Sequence, residues 1–232
     1  MKRFWKQAAA RPAATGGYTV TLDGKPMRTP AKRPLVMSSL ALAEAVAAEW
    51  NEQPADFNPE TMALTRFANT AVDRVADLRD EVIEEMANWA GTDLVSYRAA
   101  EPVELAERQR EAWDPWVEWL RRRFDVDLKV TAGLMPIAQA PETVDRMAAA
   151  LSFRGDEELA ALHTLVGILG SLVLALAVAE GELALDDAWS ASRTDEDHQA
   201  AHWGEDAEAA ARAVQLRADL GHAHRFLRLL KA

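Results

Sequence analysis

Residues 159–179, LAALHTLVGILGSLVLALAVA, run for 21 positions without a charged side chain. A run of that length either crosses a bilayer as a helix or is buried on all sides within a helical protein. Burial is the better expectation here. His163, Thr164 and Ser171 interrupt the run, Gly167 and Gly170 weaken it, and acids flank it at Asp156–Glu158 and Glu180. The pattern predicts one helix over 156–180 inside a helical domain, with no membrane insertion. The two glycines carry no GxxxxGK[ST] phosphate-loop pattern and are expected to let helices pack closely.

Helical signals dominate on both sides of that run. Asn58-Pro59 supplies an N-cap followed by proline at the first helical position. From there helices are predicted near 59–70, 77–90, 102–123, 141–153, 156–180, 184–203 and 205–230. Val126, Leu128 and Val130 alternate and fit either one short strand or an ordered connection. Arg121–Arg123 fall at the end of a predicted helix, where basic residues complement its dipole.

The first 57 residues read differently. Tyr18, Val20 and Leu22 alternate with Thr19 and Thr21, and Asp23-Gly24 is a hairpin turn signal. Lys25–Thr29 reads as the return strand, and Phe4–Ala10 and Leu35–Met37 as further short strands, with Pro26, Pro30 and Pro34 holding them to edges or ends. Ser38 or Ser39 then caps a helix in which Leu42, Val46 and Trp50 recur at four-residue spacing. The expected fold class is α+β: a small antiparallel β-containing domain over 1–57 and a larger all-helical domain over 58–232.

The formal net charge of −11 argues against nucleic acid as a partner and for a basic protein surface. The absence of cysteine excludes disulfides, zinc-thiolate sites and thiol catalysis, and fits a reducing compartment. The basic start, MKRFWKQAAARP, lacks the apolar stretch of a secretory signal and reads as mature protein.

One segment, DEDHQAAHWG over 195–204, offers two competing stripes on a helix. Asp195, His198, His202 and Glu205 are spaced by three, four and three, which aligns four potential metal ligands. No HExxH motif accompanies them, and a further ligand would have to come from His163, His222 or His224, none of which sits in a motif. A solvated polar face explains the same stripe at lower cost, so no metal or other cofactor is expected. The second stripe, Glu196, Gln199 and Trp203, with Asp206 beyond a bend at Gly204, has the composition of a recognition anchor. Spacing alone leaves open whether Trp203 is such an anchor or a buried side chain.

Other constellations are weaker. Glu84-Glu85 and Asp186-Asp187 are adjacent on helices, so their carboxylates diverge by about 100° and suit a solvated face. No GxSxG appears, and the five histidines suggest no triad. Trp113, Trp116 and Trp119 are spaced by three and predict an aromatic ridge set into the core.

Taken together, RFWK, GYTVTLDGKPMRTP, AEWNEQ, NPETMALTRFANTAVDR, GTDLVSYRA, LAERQREAWDPWVEW, GSLVLALAVAEGEL and DEDHQAAHWGEDAE resemble the motifs of one family across nearly the whole chain. That family comprises the assembly chaperones for the α subunit of ATP synthase, in mitochondria and some bacteria. The resemblance implies a two-part α+β protein without enzymatic activity. Such a protein binds the free α subunit and keeps it from aggregating before it joins the β subunit. It also implies importance for the acid seven positions before the Trp-Gly pair, here Glu196.

The expected client-binding residues are therefore Glu196, Gln199, Trp203 and Asp206. A monomer is expected, in a bacterial cytoplasm or, in a eukaryote, the mitochondrial matrix. The rival readings are a helical adaptor for another protein partner and a metal-dependent enzyme using His198 and His202.

Overall fold

The computed structural model describes residues 1–133, 135, 137–204 and 206–232. Its α+β content matches the expected class: a three-stranded antiparallel sheet near the N-terminus, then mostly helix. Two compact units emerge. One comprises Met1–Arg79, Gly155–Ala161 and His222–Ala232, the other Asp80–Arg154 and Leu162–Gly221. The division expected after residue 57 differs from this one: the first unit runs on to Arg79 and takes in two later segments.

In the sheet-bearing unit, β2 (Tyr18–Leu22) lies between β1 (Ala8–Pro12) and β3 (Lys25–Pro26), antiparallel to both. Asp23 and Gly24 both take positive φ, the requirement of a turn that matches the twist of the flanking strands. Pro26 has no N–H for the ladder, and β3 stops there. The strand expected over Phe4–Ala10 begins only at Ala8, because the Arg3 guanidinium collects the carbonyls of Trp5, Lys6, Asn51 and Gln53 and holds the preceding residues in a loop. Leu35–Met37 forms no strand either; Met37 makes a single antiparallel bridge with Tyr18. Gly17 permits that bridge, since at φ +72° a Cβ there would meet the Met37 carbonyl oxygen at 2.6 Å.

Helix α1 (Leu40–Asn51) starts at Ser39, whose hydroxyl accepts from Leu42 N–H and donates to Leu229 O at 2.6 Å. Its Leu42, Ala43, Val46 and Ala47 are buried. The Asn51 amide pairs with both backbone groups of Ala8, tying helix to sheet. The helix expected over 59–70 begins as a single tight turn, Pro59–Thr61, capped by Asn58. It restarts as α2 (Ala63–Thr70), where the Glu49 carboxylate accepts from Leu64 N–H and Thr65 N–H at 2.9 Å each. Trp5, Trp50 and Phe57 pack edge to face beside Met62, and Phe67 meets Phe226 at 5.3 Å.

The helical unit departs from expectation at its centre. The predicted single helix over 156–180 is two: α6 (Asp156–Leu169) and α7 (Leu172–Glu180). Gly170 takes a left-handed φ of +64° and Ser171 caps α7, so Gly170 serves as a helix break, not a packing notch. Gly167 is exposed, with nothing near its missing Cβ. Every residue from Leu172 to Ala179 is buried, whereas α6 exposes His163 and Gly167. Among the described residues no helix is long and apolar enough to cross a membrane.

Helix α7 packs against α4 (Val103–Phe124) and α8 (Leu185–Ser192); the other helices are α3 (Arg79–Asn88), α5 (Pro141–Ser152), α9 (Thr194–Trp203) and α10 (Ala207–Leu230). The helix predicted over 184–203 is also divided, because Arg193 leaves helical geometry at φ −113°, ψ 14°. Arg121–Arg123 occupy the last turn of α4 as expected, with Arg121 on Glu118 and Arg123 on Glu180. Val126–Val130 is an ordered connection; the strand lies one residue later, where β5 (Thr131–Ala132) pairs in parallel with β4 (Tyr97–Arg98). Of the tryptophan ridge, Trp113 is fully buried, while Trp116 and Trp119 are half-buried and meet edge to face.

Candidate functional site

Helix α9 is positioned from behind by α4. The Trp113 indole N–H donates to Ala191 O at 2.7 Å, fixing the end of α8. Gln109, also buried, donates to the Asp195 carboxylate at 2.6 Å and accepts from Ala99 N–H at 2.7 Å. Arg98 completes the support by donating to Val95 O and Gln109 O, pairing with Asp114 at 2.8 Å and lying over the Trp113 ring. Burial lowers the pKa of its guanidinium, and the Asp114 charge opposes that.

This support sets which side of α9 faces the protein. Asp195 is committed to Gln109, and His198 is only 4% exposed, its ring 4.2 Å from that of His202. His202 in turn places its Nδ1 2.8 Å from the His198 carbonyl. The Asp195/His198 side of α9 thus faces the protein, and the residues about 100° further round face solvent. Glu205 lies outside the described residues; among those described, no group of three or more His, Asp or Glu is placed to hold a metal ion.

On the outward side, Glu196 and Gln199 are exposed, their side chains unpaired among the described residues. Trp203, at the end of the helix, is 79% exposed, so the buried reading of this tryptophan does not hold. Gly204, at φ +89°, makes the anticipated bend. Asp206 stands beyond it, exposed, its carboxylate accepting from Ala209 N–H at 2.8 Å in the manner of a helix cap. The structure therefore groups Glu196, Gln199 and Trp203 on one helix and leaves Asp206 on the next element. Beside α9 a hollow of about 610 Å³ is lined by Trp116, Leu183 and Ala191 and bordered by three carboxylates, Glu111, Asp187 and Asp197, against one cation, Arg108. An apolar surface with carboxylates at its edge suits a basic or apolar side chain of a partner.

The remaining candidates are accounted for locally. His163 lies 3.4 Å from Glu85, Asp186 pairs with Arg217, and Glu84 and Asp187 are exposed. The reading missed Asp93, the most deeply embedded acid of the unit. Its carboxylate accepts from Leu172 N–H at 2.8 Å, Val173 N–H at 3.2 Å and Val95 N–H at 3.2 Å. Burial pushes its pKa up to about 6 against the pull of those donors and of Ser171. An aspartate preceding a tight turn is a legible cap signal, but a partner 79 residues away is not. Gln109 and Arg98 were missed for the same reason.

Comparison with known proteins points one way. The family model described as ATP12 chaperone protein matches residues 2–121. The crystal structure of Atp12 from Paracoccus denitrificans is 39% identical with a TM-score of 0.94, covering 99% of this chain and 98% of that one. An aspartate-to-lysine mutant of the Paracoccus protein is 38% identical with a TM-score of 0.95, covering 99% and 97%. The mitochondrial protein atp12 of Schizosaccharomyces pombe is 26% identical over 218 residues, 88% of this chain and 74% of that protein.

Proposed function

Because the chain belongs to the ATP12 chaperone family, whose role is ATP synthase assembly, we propose that it binds the free α subunit and prevents its aggregation until the β subunit arrives. An unassembled subunit exposes apolar surface meant for its neighbour, and such patches associate wrongly if left bare. The observation that carries the reading is Trp203, largely exposed beside unpaired Glu196 on a helix whose opposite side is pinned to α4.

In this reading Trp203 and Gln199 cover client surface, and Glu196 pairs with a client lysine or arginine to set register. Asp206 is the weaker contributor, since its carboxylate already caps α10. Residues 195–208 hold six acids and no lysine or arginine, a field that speeds encounter with a basic patch. Release needs no chemical step: the β subunit offers a larger interface and competes by mass action. The chaperone works as a monomer, in the compartment where the α subunit is made, bacterial cytoplasm or mitochondrial matrix.

Co-expression of the α subunit with wild type or Glu196→Lys tests this. The variant should fold with stability within about 0.5 kcal/mol of wild type, as exposed substitutions do, yet leave the α subunit mostly in the pellet. Full rescue of client solubility by the folded variant would remove Glu196 from the site.

A further inference from the structure

The sheet-bearing unit holds a second surface of opposite chemistry. A hollow of about 770 Å³ lies along residues 22–30 at the sheet edge and is closed by Trp50 and residues 59–69, a volume typical of ligand sites. Its floor is the aromatic cluster, with Trp5 and Trp50 centroids 4.6 Å apart, Met62 buried beside them and Met27 alongside. Phe4, 71% exposed, lines it edge-on to Trp5. Three sequence blocks that α9 does not use meet here: RFWK, AEWNEQ and NPETMALTRF.

Charge distinguishes this hollow from the one beside α9. Exposed Lys25, Arg28 and Arg66 line it, against Asp23 and Glu60. The Asp23 carboxylate accepts from the backbone N–H groups of Lys6 and Gln7, while Arg28 and Arg66 each donate from one guanidinium nitrogen to a backbone carbonyl, of Lys32 and Glu60, and keep their charge. Residues 1–40 carry eight lysines and arginines and a single acid, on a chain whose net charge is −11. A positive rim beside the exposed Phe4 ring and the half-buried Trp50 selects against the basic partner surface that suits α9.

We propose that this groove is a second docking surface, which takes an extended acidic segment of the client polypeptide. An aromatic or long aliphatic side chain of the segment sits against Phe4 and Trp50, and its carboxylates meet Lys25, Arg28 and Arg66. The segment's source rests on the chaperone reading above; its chemistry does not. Two grips of opposite sign at separate places discriminate among clients better than one, because a wrong chain must satisfy both.

The test uses the purified full-length protein and a fluorescein-labelled ten-residue peptide with one central Phe flanked by Asp and Glu. No client subunit is present, so the result is independent of the role given to α9. Fluorescence anisotropy should show saturable binding that weakens with salt. A Lys25→Glu/Arg66→Glu variant should lose at least tenfold in affinity, Lys25→Gln/Arg66→Gln less, and Arg11→Glu, outside the groove, under twofold; circular dichroism checks that each folds. The same peptide with Lys replacing its acids should not bind. No saturable binding up to 1 mM, equal binding of the lysine peptide, or indifference to the charge reversal would each overturn the proposal. So would concentration-dependent self-association in sedimentation velocity that the charge reversal abolishes, which would put a second copy of the chain in the groove.

Discussion

The two units divide the charge unequally: 14 lysines and arginines against 11 acids in the sheet-bearing unit, 12 against 26 in the helical one. The acidity of the chain is therefore a property of one unit. The units also cohere differently. Strand pairing and an aromatic cluster organise the first, with helix N-termini satisfied by the side chains of Ser39 and Glu49. A helix buried from Leu172 to Ala179 organises the second, its N-terminus satisfied by Ser171 and by the buried Asp93 carboxylate. Buried polar anchors, Asp93, Gln109 and Arg98, should make the helical unit the more sensitive to single substitutions, and that contrast can be attacked directly.

Removal of Trp113 should do the most damage. It is fully buried and holds the Ala191 carbonyl, so Trp113→Ala should cost about 3–5 kcal/mol. The matching change in the sheet-bearing unit, Trp50→Ala, removes a half-buried ring and one hydrogen bond to Thr65, and should cost clearly less. Urea denaturation of both variants decides it; equal losses would end the contrast.

Two aspartates sharpen it through pH. In the helical unit, burial raises the Asp93 pKa to about 6 in the folded protein, so the native state binds its proton more tightly than the unfolded chain does. Stability from this group is fully present at acid pH and declines as pH rises from about 4 to about 6, by up to roughly 3 kcal/mol. In the sheet-bearing unit the backbone N–H groups of Gln7 and Lys6 lower the Asp23 pKa. Its contribution is present above the usual carboxylate range and is lost as pH falls through the folded value. Melting temperatures from about pH 2 to about pH 7, each variant referred to wild type, should show opposite slopes, for Asp93→Asn above about pH 4 and for Asp23→Asn below it. Slopes of one sign would break the assignment of burial to one and hydrogen bonding to the other.

The same contrast explains what could be read in the sequence. The Asp23-Gly24 hairpin, the cap at Ser39 and the stripe Leu42–Val46 are local, and they were legible because a turn or a helical face is encoded within a few residues. The strand expected at Phe4 failed where Arg3 reaches the carbonyls of Asn51 and Gln53, a contact no local window contains. The break at Gly170 failed likewise: an apolar run of 21 residues looks like one helix unless Asp93 is known to sit at its middle. At the candidate site, spacing defined both stripes of α9, but only Gln109 and the burial of His198 show which one faces outward.

The smallest of these effects bears on that orientation. Gln109→Ala removes the donor to Asp195 and the acceptor of Ala99 N–H, leaving two partly buried groups to find water, at a cost of about 1–2 kcal/mol. Trp113 still anchors α8, so the loss should be local: hydrogen exchange should speed up in Thr194–Trp203 and not in α7. A looser α9 presents Trp203 and Glu196 in many orientations, and client binding should weaken without any change to an exposed residue. If exchange instead rises throughout the helical unit, Gln109 belongs to the core, and the outward edge is not held by α4 in the way its hydrogen bonds imply.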